Sequence, residues 1–157
     1  MKLTIGIDPG KGGGVAWSFG NDVHVKAMPE TEGDLRDFLN GVTTVLMEVV
    51  VVIEDIPVYV PMPGTVPVAK QVSTAAKLHD NFGFLKGFLM ARGAVIHTVK
   101  PQKWQKDLGI GTKSGKATKV WKNQLKNEAQ KRFPGVKVTL ATSDALLLLD
   151  YGTRHSL

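Results

Sequence analysis

The opening residues Leu3-Thr4-Ile5-Gly6-Ile7 alternate and are β-branched, which predicts a strand. The run Asp8-Pro9-Gly10-Lys11-Gly12-Gly13-Gly14 must end or turn it, because proline lacks an N–H and glycine accepts backbone angles that other residues avoid. Val15-Ala16-Trp17-Ser18-Phe19 resumes strand chemistry, Gly20-Asn21-Asp22 turns the chain again, and residues 23–27 make a third short strand. Together these predict an antiparallel meander. Thr31 with Asp34 opens a short helix through Leu35, Phe38 and Leu39, closed by Gly41. Residues 45–53 (VLMEVVVVI) form a long apolar, β-branched run. A run without alternation predicts a central strand covered on both faces. It ends in Glu54-Asp55.

Pro57, Pro61, Pro63, Gly64 and Pro67 then demand a long loop, 57–69. A helix fits 72–92, with Leu78, Phe82, Leu85 and Leu89 as its apolar positions. Gly83 and Gly87 lie one turn apart on it and permit close backbone packing, and Gly93 suits its C-terminal cap. Residues 95–99 predict a strand, followed by Pro101, and 109–115 a flexible basic loop. A helix over 116–132 places Trp121, Leu125 and Ala129 on one face and Lys119, Lys122 and Lys126 on another, until Pro134-Gly135 stops it. Residues 143–151 (SDALLLLDY) predict a final helix, apolar on nearly all sides. The order βββαβαβαα describes a single α/β domain over 1–157, with no repeat and no dividing linker.

Composition narrows the chemistry. At 157 residues, 43% apolar and 22% charged, the chain can bury a core and does not have the make-up of a disordered segment. The absence of cysteine excludes disulfides, cysteine-zinc sites and thiol catalysis. No uncharged run reaches the ~18 residues of a membrane span. Asp8 falls too early for a secretory signal, so the expectation is a cytoplasmic chain without an anchor of its own. The net charge of +6 is uneven: residues 97–133 hold ten lysines and arginines against Asp107 and Glu128. That segment is +8 and the remainder −2. Such a segment suits a polyanionic partner, and equally a solvated lysine-rich helix.

Three acids stand out. Asp8 ends a buried-type strand, Glu54 ends another, and Asp144 opens an apolar helix. Carboxylates beside core elements are costly unless paired or metal-bound. Each also has a plain structural reading: a turn residue before Pro9, an exposed strand end, and a helix cap with Ser143. If they converge, three carboxylates without histidine or cysteine suit a hard cation such as magnesium, and two such ions can clamp a phosphodiester.

The ordered set resembles the RuvC-type Holliday junction resolvases of the ribonuclease H-like superfamily. Ile5-Gly6-Ile7-Asp8-Pro9-Gly10 is similar to that family's first catalytic strand, and Val52-Ile53-Glu54 to the central strand carrying the second acid. Gly83 to Gly87 and Val99-Lys100-Pro101-Gln102-Lys103-Trp104 resemble the middle helix and following strand of phage-type and chloroplast-type relatives. Ser143-Asp144-Ala145-Leu146-Leu147 resembles the last catalytic helix. The resemblance implies a ribonuclease H-like fold, a five-stranded mixed sheet flanked by helices. It implies a homodimer that makes paired nicks in a four-way DNA junction, with two magnesium ions (manganese substituting) per site. Asp8, Glu54 and Asp144 would be the catalytic metal ligands. The bacterial members carry a fourth acid one turn before Asp144, where this chain has Ala141, so the fourth ligand is open.

Lys100, Lys103, Lys106, Lys113, Lys116 and Lys119 are the expected DNA-phosphate contacts. Trp104 and Trp121 fit the core better than base stacking, and His79 and His97 fit structural roles. Ala75, Ala76, Gly83 and Gly87 offer a small-residue face, either for a second copy or for the chain's own sheet. Two other readings compete. One is a junction-binding module with a decayed site, supported by Ala141. The other is an actin-like phosphate-binding domain using the Asp8–Gly14 hairpin, although that fold needs two such domains.

Overall fold

The computed structural model describes residues 2–43 and 48–157. Strands β1 (Lys2–Asp8), β2 (Gly14–Phe19) and β3 (Asp22–Ala27) form the expected antiparallel meander. Helix α1 (Glu32–Val42) follows, its Thr31 hydroxyl accepting from the Asp34 N–H as an N-cap. Gly41 does not close it: the helix runs on to Val42, and the Thr43 N–H and hydroxyl both donate to the Leu39 carbonyl. Strand β4 (Glu48–Glu54) pairs parallel to β1. Residues 45–47, the start of the strand expected over 45–53, lie outside the described residues. Helix α2 (Val68–Ala91), strand β5 (Val95–Val99), and helices α3 (Pro101–Asp107), α4 (Thr118–Arg132) and α5 (Ser143–Arg154) complete the order. The sheet is five-stranded and mixed, in the order β3-β2-β1-β4-β5, with β5 parallel to β4.

Two apolar layers enclose the sheet. Leu3, Ile5 and Ile7 of β1 and Val49, Val51 and Ile53 of β4 pack with Leu35, Leu39, Leu85 and Leu89 of α1 and α2. On the opposite face, Ala16 and Val52 pack with Trp104, Trp121, Leu125 and the leucines of α5. Val49 to Ile53 are all nearly inaccessible, as a run covered on both faces requires. Trp104 and Trp121 are core residues.

Helix α5 lies directly on β1. A Cβ at Gly6 would stand 2.3 Å from the Ala145 carbonyl oxygen and 2.4 Å from the Leu149 nitrogen, so only glycine lets the two backbones approach this closely. In helix α2 only Leu85 and Leu89 are fully buried. Its first half is mostly exposed. It begins at Val68, four residues before the expected start, because Pro67 serves as N-cap and its carbonyl accepts from the Lys70 and Gln71 N–H groups. Gln71 also ties down the proline loop, bonding Tyr59 Oη, both backbone polar groups of Met62, and the Val66 carbonyl. Nothing approaches Gly83 or Gly87 within 4 Å of where a Cβ would stand, so that small-residue face does not pack on the chain's own sheet.

Candidate active site

Side-chain alternation sets the position of the first two acids. Ile7 and Ile53 are register partners and face α1 and α2. Asp8 and Glu54 come one residue later, so both turn to the α5 face, at the carboxyl ends of adjacent parallel strands. Asp144 is in the first turn of α5, 6% exposed, and its Oδ1 accepts from the Ser143 hydroxyl at 3.2 Å. The Gly6 contact seats α5 against β1 and so brings Asp144 alongside the two strand ends.

Burial and neighbouring charge act on two of the three carboxylates. Asp8 is pushed up to about 6, first by burial and then by the negative charge of Asp144, against a backbone hydrogen bond from Gly10 and the charge of Lys122. Glu54 is pushed up to about 7, by burial first, then by Asp8 and more weakly by Asp144. The Trp104 indole N–H donates to Glu54 Oε2 at 2.9 Å and opposes that shift, as does Lys122. Trp104 thus has two roles, filling the core and orienting an acid. The core role is legible in the sequence; the hydrogen bond is not, because α3 and β4 meet only in the fold. Gly13 was likewise hidden. A Cβ there would stand 2.6 Å from Asp8 Cγ, so glycine leaves room for the carboxylate.

A cleft of about 270 Å³ opens over these groups, lined by Asp8, Pro9, Gly10, Gly12, Gly13, Glu54, Ile56, Leu78 and Lys122. Asp144 meets it through Lys122, whose Nζ is 3.5 Å from Asp144 Oδ2. Among the described residues no three His, Cys, Asp or Glu side chains stand at metal-ligand spacing. Asp144 holds the Lys122 ammonium, which lines the cleft with Asp8 and Glu54, and the acids do not form a closed cage. Their chemistry nonetheless fits a divalent cation: the donors are all oxygen, Asp8 and Glu54 are partly buried and repelled by like charge, and both gain from a positive ion.

The other acid of α5 has separate partners. Asp150 accepts from Arg132 and Arg154 at 2.7 Å, in a network that includes Glu128, Asp107 and His155. Ala141 offers only its carbonyl near the site, packed over Gly14. Lys100, Lys103, Lys106, Lys113 and Lys119 are exposed along α3, the following loop and the start of α4. Lys116 is engaged inward: its Nζ donates to Gln124 Oε1 at 2.9 Å and lies 4.9 Å over the Trp121 ring. His79 lines a different, apolar cleft of about 550 Å³ between the proline loop and α2. No helix among the described residues is long and apolar enough to cross a membrane.

The five-stranded mixed sheet with helices on both faces is an α/β fold that the chain shares with solved RuvC structures. The structure superposes on Thermus thermophilus RuvC in complex with a Holliday junction substrate with a TM-score of 0.63, at 15% identity over 99% of this chain and 96% of that one. A second Thermus thermophilus RuvC structure matches with a TM-score of 0.58, at 16% identity over 98% and 96%. No protein-family model and no curated protein sequence matches the chain.

Proposed function

We propose that this chain is a divalent-metal-dependent nuclease acting on four-way DNA junctions. The observation that carries the reading is the placing of Asp8 and Glu54 in one cleft open to solvent, with Asp144 joined to it through Lys122. The fold shared with a RuvC that was solved on a Holliday junction supports the substrate.

In this reading the three carboxylates hold magnesium or manganese. When bound, that metal activates water for attack on a phosphodiester and stabilises the departing oxygen. The chain's own groups do the rest. The Gly10 N–H and the space beside Gly13 fix the Asp8 carboxylate, and the Trp104 indole fixes Glu54. The exposed lysines of α3, the following loop and α4 are the phosphate contacts that position a DNA strand along the α5 side of the sheet. A two-fold homodimer would match the symmetry of a junction with two strands to cut. The open face of α2 at Gly83 and Gly87 is the surface for it, since the chain's own core leaves it uncovered.

Asp8→Asn removes one ligand charge and little shape. The expected outcome is loss of magnesium-dependent nicking of a synthetic four-way junction, with junction binding retained. Linear duplex is the control. Nicking at the wild-type rate would show that Asp8 is not a metal ligand. A chain that binds junctions without cutting them at any divalent-ion concentration would favour the decayed-module reading that Ala141 supports.

A further inference from the structure

Lys122 stands in the second turn of α4 and reaches across to α5. Its side chain is 46% exposed, against 9% for its partner Asp144. The charge of its ammonium acts on all three carboxylates, and it is the cation whose charge acts on both Asp8 and Glu54. It also lines the acid cleft itself. Three carboxylates around one ammonium leave a net charge of −2 when all are ionised, the charge that a single divalent ion neutralises. A lysine is suited to such a place because its ammonium is a compact point charge on a flexible four-carbon stem. One contact at 3.5 Å and a half-exposed side chain let it withdraw without moving α4.

We propose that Lys122 is the resident counter-ion of the carboxylate cluster, which a divalent cation must displace to bind. The proposal rests on reading the cleft as a divalent-metal site. Without metal, Lys122 offsets the mutual repulsion of the acids. With metal, ammonium and cation compete for the same oxygens, and the displaced Nζ is left at the cleft mouth, where a DNA phosphate oxygen could accept from it. Removing the charge must therefore move two properties in opposite directions: metal affinity rises and metal-free stability falls. A lysine that only supports the fold would lower both when removed. One that only contacts DNA would move neither in the absence of DNA.

The test is a manganese titration without DNA at pH 8, counting free Mn²⁺ by electron paramagnetic resonance, with thermal melts in EDTA alongside. Wild type, Lys122→Met, Lys122→Gln, Lys122→Arg and Asp8→Asn are compared. Lys122→Met and Lys122→Gln should bind Mn²⁺ roughly tenfold tighter, since repulsion between an ammonium and a divalent ion at this range exceeds one decade of affinity. Both should melt lower than wild type in EDTA, and Lys122→Arg should restore wild-type values of both. Equal or weaker Mn²⁺ binding by the two neutral variants, with wild-type binding intact and weakened by Asp8→Asn, overturns the counter-ion role and leaves the metal reading standing. Absence of any Mn²⁺ binding that Asp8→Asn weakens overturns the metal reading, and the counter-ion role with it.

Discussion

Asp8 and Glu54 ionise in the folded chain near pH 6 and 7, well above their ordinary values of 3.8 and 4.5. Between those limits the folded chain holds protons that the unfolded chain has released. Stability without metal should therefore fall as pH rises from about 4 through 7, and level off above that. Melting temperatures in EDTA across this range check the sign. A saturating divalent ion should reverse the trend, because it binds the ionised, folded acids. The Trp104 indole N–H opposes the rise at Glu54. Trp104→Phe removes that donor and part of a fully buried ring, at a stability cost of about 2–3 kcal/mol. It should also move the acidic limb of a cleavage profile to higher pH, because Glu54 then holds its proton longer. An unmoved limb would mean that Glu54 does not control the rate.

At the scale of elements, the contact between α5 and β1 decides whether the site exists. Gly6→Ala would push a methyl into the backbone of Ala145 and Leu149, where no side chain can rotate away. The expected cost is about 3 kcal/mol, the upper end of ordinary overpacking. In a domain of this size that lowers the melting temperature by roughly 10 °C, measurable by calorimetry. The meander, the twice-covered strand and the apolar last helix were legible because each writes its burial directly into a short window of sequence. The parity that puts Asp8 and Glu54 on one face was within reach too, since both follow an apolar residue of the opposite face. The sequence reading places no helix at α3, although Pro101 at its first position and the Trp104–Leu108 spacing are its signals. Seven residues give too little periodicity to stand out. Lys122 looked like one of several lysines on a solvated face, because nothing local distinguishes it. Only the packing of α4 on α5 sets it apart from Lys119 and Lys126.

Over the whole molecule, positive charge is concentrated in the stretch that carries α3 and α4, on the α5 side of the sheet. Junction binding should accordingly weaken steeply with salt, with a log–log slope of roughly −0.9 per neutralised phosphate. Lys113→Ala and Lys119→Ala should each flatten that slope. Lys116→Ala should do so less, because its ammonium is already held by Gln124 and Trp121. Equal effects from all three would show that Lys116 leaves its partners on binding DNA. The position of Asp144 has a different kind of consequence, one of timing. Asp8 and Glu54 belong to strands, whereas the third acid sits on an element that follows every strand in the chain. During synthesis from the N-terminus, every strand emerges while the site still lacks one of its three acids and the sheet one of its two apolar covers. A ribosome stalled before α5 emerges would hold a chain whose sheet is uncovered on one face and whose site lacks its third acid. On the proposed function, nicking competence would then arrive only when the last helix docks on Gly6.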